Sequence, residues 1–138
     1  MLIMVIQGSE GRVRDSVLTQ LAHLKQPKVV TIDVGFVASP DERVARLKLL
    51  LHRSRQVLNV VIGANSKEEI DFLRAKHALF CNLHRHFPNH LLNVEGAIDR
   101  ADVLISPNFV SDDDVIVLRP DEAFSECVLR SKFRRHVA

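Results

Sequence analysis

Met1-Leu-Ile-Met-Val-Ile-Gln7-Gly8-Ser-Glu-Gly11-Arg-Val-Arg14-Asp-Ser16-Val-Leu-Thr-Gln-Leu21 is the stretch that decides how the chain is read. Leu2 to Gln7 is a continuous apolar run stopped by Gly8, as in a strand buried on both faces. From Asp15 to Leu24, residues Val17, Leu18, Leu21 and Leu24 fall on one helical face, and Pro27 ends the helix. A strand, a glycine turn and a helix make the unit from which α/β sheets are assembled.

The unit recurs along the chain. Val29 to Val34 is a second strand, dense in β-branched residues. Ser39-Pro40-Asp41-Glu42 predicts a helix start: Ser39 caps, Pro40 takes the first helical position, and Glu42 reaches back to the cap amide. The helix it opens has Val44, Leu47, Leu50 and Leu51 on one side and Arg43, Arg46 and Arg53 on the other. Val57 to Ile62 is a third strand, closed by Gly63, and Ser66-Lys67-Glu68-Glu69 repeats the capping box before Ile70, Phe72 and Leu73. Leu79 to Leu83, Val103 to Ile105 and Val115 to Leu118 supply further short strands. Pro120-Asp121-Glu122 starts a terminal helix carrying Phe124, Cys127, Val128 and Leu129. Apolar rather than alternating strands, separated by helices, predict one three-layer α/β domain over 1–138. Its sheet is mostly parallel, of five or six strands, with helices on both faces.

Composition agrees with a globular chain: of 138 residues, 46% are hydrophobic and 26% charged, which excludes disordered and fibrous classes. No apolar run approaches the ~18 residues of a membrane span, so no membrane association is expected. The opening run has no basic leader and is read as a strand rather than a signal peptide. Cys81 and Cys127 have no C-x-x-C spacing, which supports neither a zinc ribbon nor a disulfide scaffold and leaves a reducing, cytoplasmic setting as the expectation.

Ligands of parallel sheets sit at the carboxyl ends of strands, so chemistry is expected at the turns after Ile6, Val34 and Ile62. The first turn compares with the phosphate loop G-x-x-x-x-G-K-[ST], whose amides curl around phosphates and whose lysine neutralises charge. Gly8 holds the first glycine position, Val13 the second, Arg14 the lysine and Ser16 the hydroxyl. Val13 is the serious defect, since a β-branched residue resists positive φ and places a side chain where backbone should approach phosphate. Asp33, at the end of the second strand, is either a site residue or the cap of the turn at Gly35.

Gly8, four intervening residues and Val13-Arg14-Asp15-Ser16, followed by Val17, Leu18 and Leu21, resemble the opening of phage-type deoxynucleoside monophosphate kinases, whose loop ends in G-K-D-[TS]. Val60 to Ile70, the strand Leu79 to Arg85, and Val94-Glu95 through Ile105 are similar to later segments of that family, in order, over about half of the chain. The resemblance implies a P-loop kinase-like fold. It also implies a degenerate nucleotide site of Gly8, Gly11, Arg14, Asp15 and Ser16, with Asp33, Arg85, Glu95 and Asp102 as accessory positions. ATP and magnesium enter only where the loop works; no cofactor or metal is otherwise expected. The departures fall on catalytic positions. Gly63-Ala64-Asn65 stands where the family has an Asp-x-Arg turn, Val94 replaces a serine, and Asn108 lies two residues late. The chain is also short for the family's substrate-binding insertion and lid. Loss of a glycine, the lysine and the acidic magnesium position removes several powers of ten in phosphoryl-transfer rate.

Other constellations carry less. His84 and His86 share a side of a strand, with His90 and Cys81 near, but no third ligand of known spacing completes a metal site. Asp112-Asp113-Asp114 reads as a solvated turn. No G-x-S-x-G elbow and no RNP-like aromatic motif occurs. Thirteen of the nineteen basic residues are arginine, and Arg130, Lys132, Arg134 and Arg135 crowd the end; this pattern suits a helix C-terminus or contact with nucleic acid. Three functional readings follow. The first is a kinase-like protein that has lost catalysis and binds a partner or a phosphate-bearing ligand. The second is a small active nucleotide kinase or nucleotide-binding enzyme using Arg14 and Asp33 in an altered site. The third is a regulatory protein contacting nucleic acid or protein through arginine-rich helices. Self-association is compatible with all three.

Overall fold

The apolar runs meet in one sheet in the computed structural model, which describes residues 1–137, with side chains as far as Arg134. Strands β1 (Leu2–Gln7), β2 (Lys28–Asp33), β3 (Val57–Ile62), β4 (Leu79–Leu83), β5 (Val103–Ile105) and β6 (Val117–Leu118) pair in the order β2-β3-β1-β4-β5-β6. Every pairing is parallel. Helices α1 (Arg12–Ala22), α2 (Pro40–Leu50), α3 (Lys67–Ala75) and α4 (Pro120–Val137) connect or follow the strands.

The period of two along β1 sorts its side chains between two cores. Leu2, Met4 and Ile6 pack with Val17 and Leu21 of α1 and Ala123 and Cys127 of α4. Ile3 and Val5 pack with Leu47 of α2 and Ile70 and Leu73 of α3. Both faces of β1 are thus covered, all six of its residues are buried, and no polar alternation shows in its sequence. Each fully buried aliphatic side chain contributes roughly 1.5–3 kcal/mol.

Several expected boundaries move, each for a physical reason. α1 begins at Arg12 rather than Asp15 and ends at Ala22. Its N-cap is Gly11 at φ 151°, a backbone state that glycine holds without strain, so helix begins at the next residue. Positive φ therefore falls at Gly11 and not at Val13, whose side chain packs against the α1 and α4 core. β2 is Lys28–Asp33 rather than 29–34, with Val34 buried just beyond it. Ser39 is the N-cap of α2, but its side chain makes no cap bond. Glu42 does not reach back either; the Ser39 carbonyl accepts from the Arg43 amide at 3.0 Å, and Pro40 with two acidic residues makes the first turn. The capping box of α3 does form: the Ser66 amide and hydroxyl both donate to Glu69 Oε1. The sixth strand shrinks to Val117–Leu118, leaving Ile116 exposed.

One reversal bears on the site. Arg43, expected on the polar side of α2, is buried with Leu47 four residues later. Among the described residues no helix is long and apolar enough to cross a membrane.

Candidate functional site

At the carboxyl ends of β1, β2 and β3 the turns enclose a cleft of about 670 Å³. Ile6, Gln7, Gly8, Ser9, Glu10 and Arg14 form one wall. Asp33, Gly35 and Phe36 come from the turn after β2, Gly63, Ala64 and Asn65 from the turn after β3, and Pro88 to Leu91 from the 3₁₀ turn Asn89–Asn93 and its lead-in. This is the edge at which open parallel sheets hold ligands.

Backbone contacts shape the walls. Gly8 lies directly on Leu83 of β4, where a side chain on residue 8 would collide with the leucine. A Cβ on Gly63 would stand 2.5 Å from the Gly35 nitrogen, so the turns after β2 and β3 touch main chain to main chain. Asp33 Oδ1 accepts from the Gly35 amide at 2.8 Å, which makes Asp33 the cap of its turn while it still faces the cleft. The Ser9 amide donates to the His86 carbonyl at 3.0 Å, closing part of the β1–α1 turn on the chain itself.

Asn65 is held from behind. Arg43 donates to Asn65 Oδ1 and, through Nε, to the Val37 carbonyl at 2.7 Å. Its Nη1 lies 3.4 Å from Glu69 Oε2. Glu69 is fully buried, and burial pushes its carboxyl pKa up against the pull of Arg43 and the Ser66 amide. The arginine, the carboxylate and the α3 capping box thus fix one wall of the cleft. The spacing of Arg43 and Leu47, i and i+4, was the available signal for this burial.

In that wall Glu69 Oε2 has the Arg43 ion pair but no hydrogen bond, and across from it stand groups with neither. Gln7 is 2% exposed, and neither Nε2 nor Oε1 finds a hydrogen bond. Arg14, in the first turn of α1, has its Nε buried and unpartnered, and no side chain caps that helix start. The amides of the first helical residues are orphan donors by construction, and the helix dipole favours an anion near them. Phe36 lines the cleft at 68% exposure, with the Arg46 guanidinium 4.9 Å from its ring centre. Gln7 escaped the sequence reading because it closes an apolar run; its register on the Ile3 and Val5 face was the usable signal.

The expected site residues divide sharply. Gly8, Arg14 and Asp33 reach the cleft; Gly11, Asp15 and Ser16 are not among its walls. Arg85, at φ 63°, is exposed and away from the cleft walls, and Glu95 is likewise exposed outside them. Asp102 lies at the opposite edge of the sheet, before β5, where Arg74 Nη1 and Nη2 donate to its two oxygens at 2.6 and 2.9 Å. It is a fold contact. β4 ends at Leu83, so His84 and His86 follow the strand rather than share its face; only His90 lines the cleft. Among the described residues no group of three or more His, Cys, Asp or Glu gathers as a metal site. Asp112 caps its own turn, accepting from the Asp114 amide at 2.9 Å. Burial pushes the thiols of Cys81 and Cys127 up, the latter to about 11, so both are packing groups at neutral pH.

These residues do not fit magnesium–ATP. Ser16 is outside the cleft, Asp33 spends an oxygen on Gly35, the turn after β3 is neutral, and one arginine faces both Glu10 and Asp33. Some of the arginines are also spent inside the fold: Arg55, in the turn before β3, donates to Ser131, and Arg130 of α4 donates to Glu126 and the Ala101 carbonyl. The Arg135 side chain lies outside the described residues. Comparison of the chain with protein-family models finds no match, and comparison with curated proteins finds no significant match.

Proposed function

We propose that this chain is a nucleotide-kinase-like protein that has lost phosphoryl transfer and uses its cleft to bind a phosphate-bearing ligand, a nucleotide above all. Arg14 is the observation that carries the reading: a cation left unpaired beside the uncapped start of α1, on the wall of the cleft. An unpaired guanidinium is matched by phosphate through two parallel hydrogen bonds. Phe36 supports the nucleotide form of the ligand, since an exposed ring at a cleft wall offers a stacking face. One cation against Glu10 and Asp33 favours a single phosphate over a polyphosphate chain. The same balance, with the Gly63-Ala64-Asn65 turn, argues against transfer, which needs several positioned cations.

Thermal unfolding with inorganic phosphate, deoxynucleoside monophosphates and magnesium–ATP tests this. A ligand at ~100 times its dissociation constant raises stability by about 2.7 kcal/mol. The expected result is a shift with monophosphates that Arg14→Ala abolishes, and no labelled phosphate moved from ATP to any acceptor. Absence of a shift with every phosphate compound overturns the binding reading, and turnover overturns the loss of catalysis.

A further inference from the structure

The cleft holds a second unsatisfied feature, and it is not suited to phosphate. Gln7 ends β1, and its Cα partner on the adjacent parallel strand is Asn82 of β4. Paired residues of parallel strands project to the same face, about 4.8 Å apart. Gln7 is 2% and Asn82 8% exposed; Gln7 Nε2, Gln7 Oε1 and Asn82 Oδ1 all lack a hydrogen-bond partner. Leaving a buried polar group unpaired costs about 1–3 kcal/mol, so two neighbouring carboxamides in this state are unfavourable in a fold that needs them only for packing.

The rest of the molecule shows what a structural carboxamide looks like. Asn59, fully buried on β3, donates to the Leu2 and His52 carbonyls and accepts from the His52 amide, each at 2.9 Å. Both amide protons and the carbonyl oxygen there find partners within the chain. Those of Gln7 find none, and Gln7 is the one that lines the cleft.

We infer that Gln7, with Asn82 beside it, is the specificity contact of the cleft, taking an uncharged ligand group that donates and accepts hydrogen bonds at once. The inference rests on the cleft binding a phosphate-bearing ligand and assigns the other half of that ligand. Phosphate itself does not suit Gln7, the member of the pair that lines the cleft: it satisfies Nε2 and leaves Oε1 facing negative charge. A nucleobase edge or a sugar hydroxyl supplies donor and acceptor together. Arg14 then holds the charged end, and Gln7 reads the neutral one.

Three ligand classes separate the possibilities: inorganic phosphate, ribose 5-phosphate, and the deoxynucleoside monophosphates. Affinities are measured by calorimetry on the full chain and on Gln7→Met, and the side-chain amide signals of Gln7 are followed by nitrogen-15 NMR in the native protein. At least one organic phosphate is expected to bind about tenfold more tightly than inorganic phosphate, the worth of one or two neutral hydrogen bonds. Gln7→Met removes that margin and leaves inorganic phosphate binding intact. It also raises the ligand-free melting temperature by roughly 2–5 °C, because an unpaired buried amide is gone. The Gln7 amide signals move with the preferred ligand and stay still with inorganic phosphate. A margin already present with ribose 5-phosphate assigns the hydroxyl; one confined to nucleotides assigns the base.

Gln7 signals unmoved by every ligand, or a margin unchanged in Gln7→Met, overturn the assignment and make the pair a holder of buried water; phosphate binding at Arg14 then stands. No binding of any compound, inorganic phosphate included, overturns the phosphate site and this inference with it. Should Gln7→Met not fold, the NMR measurement on the native chain decides alone.

Discussion

Buried polar groups at the amino edge of the sheet are partnered within the chain, whereas at the carboxyl edge Arg43 is partnered and others are not. At the amino edge Arg74, in the last turn of α3, has its guanidinium stacked 3.6 Å from the Phe80 ring centre and donates to Gly96, Ala97 and both oxygens of Asp102. Asn59 is satisfied in the same complete way. At the carboxyl edge Arg14 Nε and both polar atoms of the Gln7 carboxamide are buried without a hydrogen-bond partner among the described residues. Orphan polar atoms cost a fold stability, so the contrast separates groups whose hydrogen bonds close within the chain from groups whose polar atoms find no partner there, and the second kind supports the binding reading proposed for the cleft.

The largest effect that tests the contrast is at Arg74. Its Asp102 partner has a side chain only 4% exposed, so Arg74→Ala strands a carboxylate and frees the segment from Gly96 to Asp102. Breaking a buried pair by removing one member costs about 3–5 kcal/mol. Urea unfolding of Arg74→Ala is expected to show a loss of that order, with Arg74→Lys recovering part, since lysine lacks the bidentate fork. A loss under ~1 kcal/mol, the worth of a surface ion pair, breaks the contrast at its amino edge.

Why Arg74 and Asp102 were not seen as partners in the sequence is itself physical. They stand 28 residues apart, and only the β3-α3-β4-β5 path brings them together. What was legible was local: β1, β3, β4 and β5 as apolar runs, the capping box at Ser66, and the starts of α2, α3 and α4 at Pro40, Lys67 and Pro120. The location of the cleft was legible too, because parallel topology dictates it. The start of α1 was not, since the glycine that sets it is Gly11 rather than a glycine at position 13. The burial of Arg43 was legible only in its i, i+4 spacing to Leu47; its partners Asn65 and Glu69 arrive from later in the chain.

Glu69 gives an intermediate effect. Removing its carboxyl in Glu69→Ala undoes the α3 capping box and leaves Arg43 without its anion, a cost of about 1–3 kcal/mol. Glu69→Gln keeps an acceptor for Ser66 and costs less. The pH dependence sharpens this. Burial raises the folded-state pKa of Glu69 above its ordinary value of 4.5. Such a group contributes stability that is fully present below the unfolded value and is lost as pH rises through the folded one. The native chain is therefore expected to gain on Glu69→Gln as pH falls from 7 toward 4.5, in paired urea titrations. A difference that stays flat or widens in favour of glutamine contradicts the burial of the charged form.

The smallest expected change is at Arg14 in the ligand-free protein, and its sign is what matters. A cation in the first turn of α1 opposes the helix dipole, an interaction worth about 0.3–1 kcal/mol at low salt. Among the described residues no carboxylate pairs with Arg14 to offset this, and its Nε is buried without a partner. Against it stands the packing of the arginine stem, which alanine gives up. The two nearly cancel, so Arg14→Ala is expected to leave the melting temperature unchanged or slightly raised. The difference shifts in favour of alanine at low ionic strength, where the dipole term is least screened. Differential scanning calorimetry at low and high salt reads both. A loss of 2 kcal/mol or more would place Arg14 with Arg74 as a residue that holds the fold, and the carboxyl edge would no longer differ from the amino edge in kind.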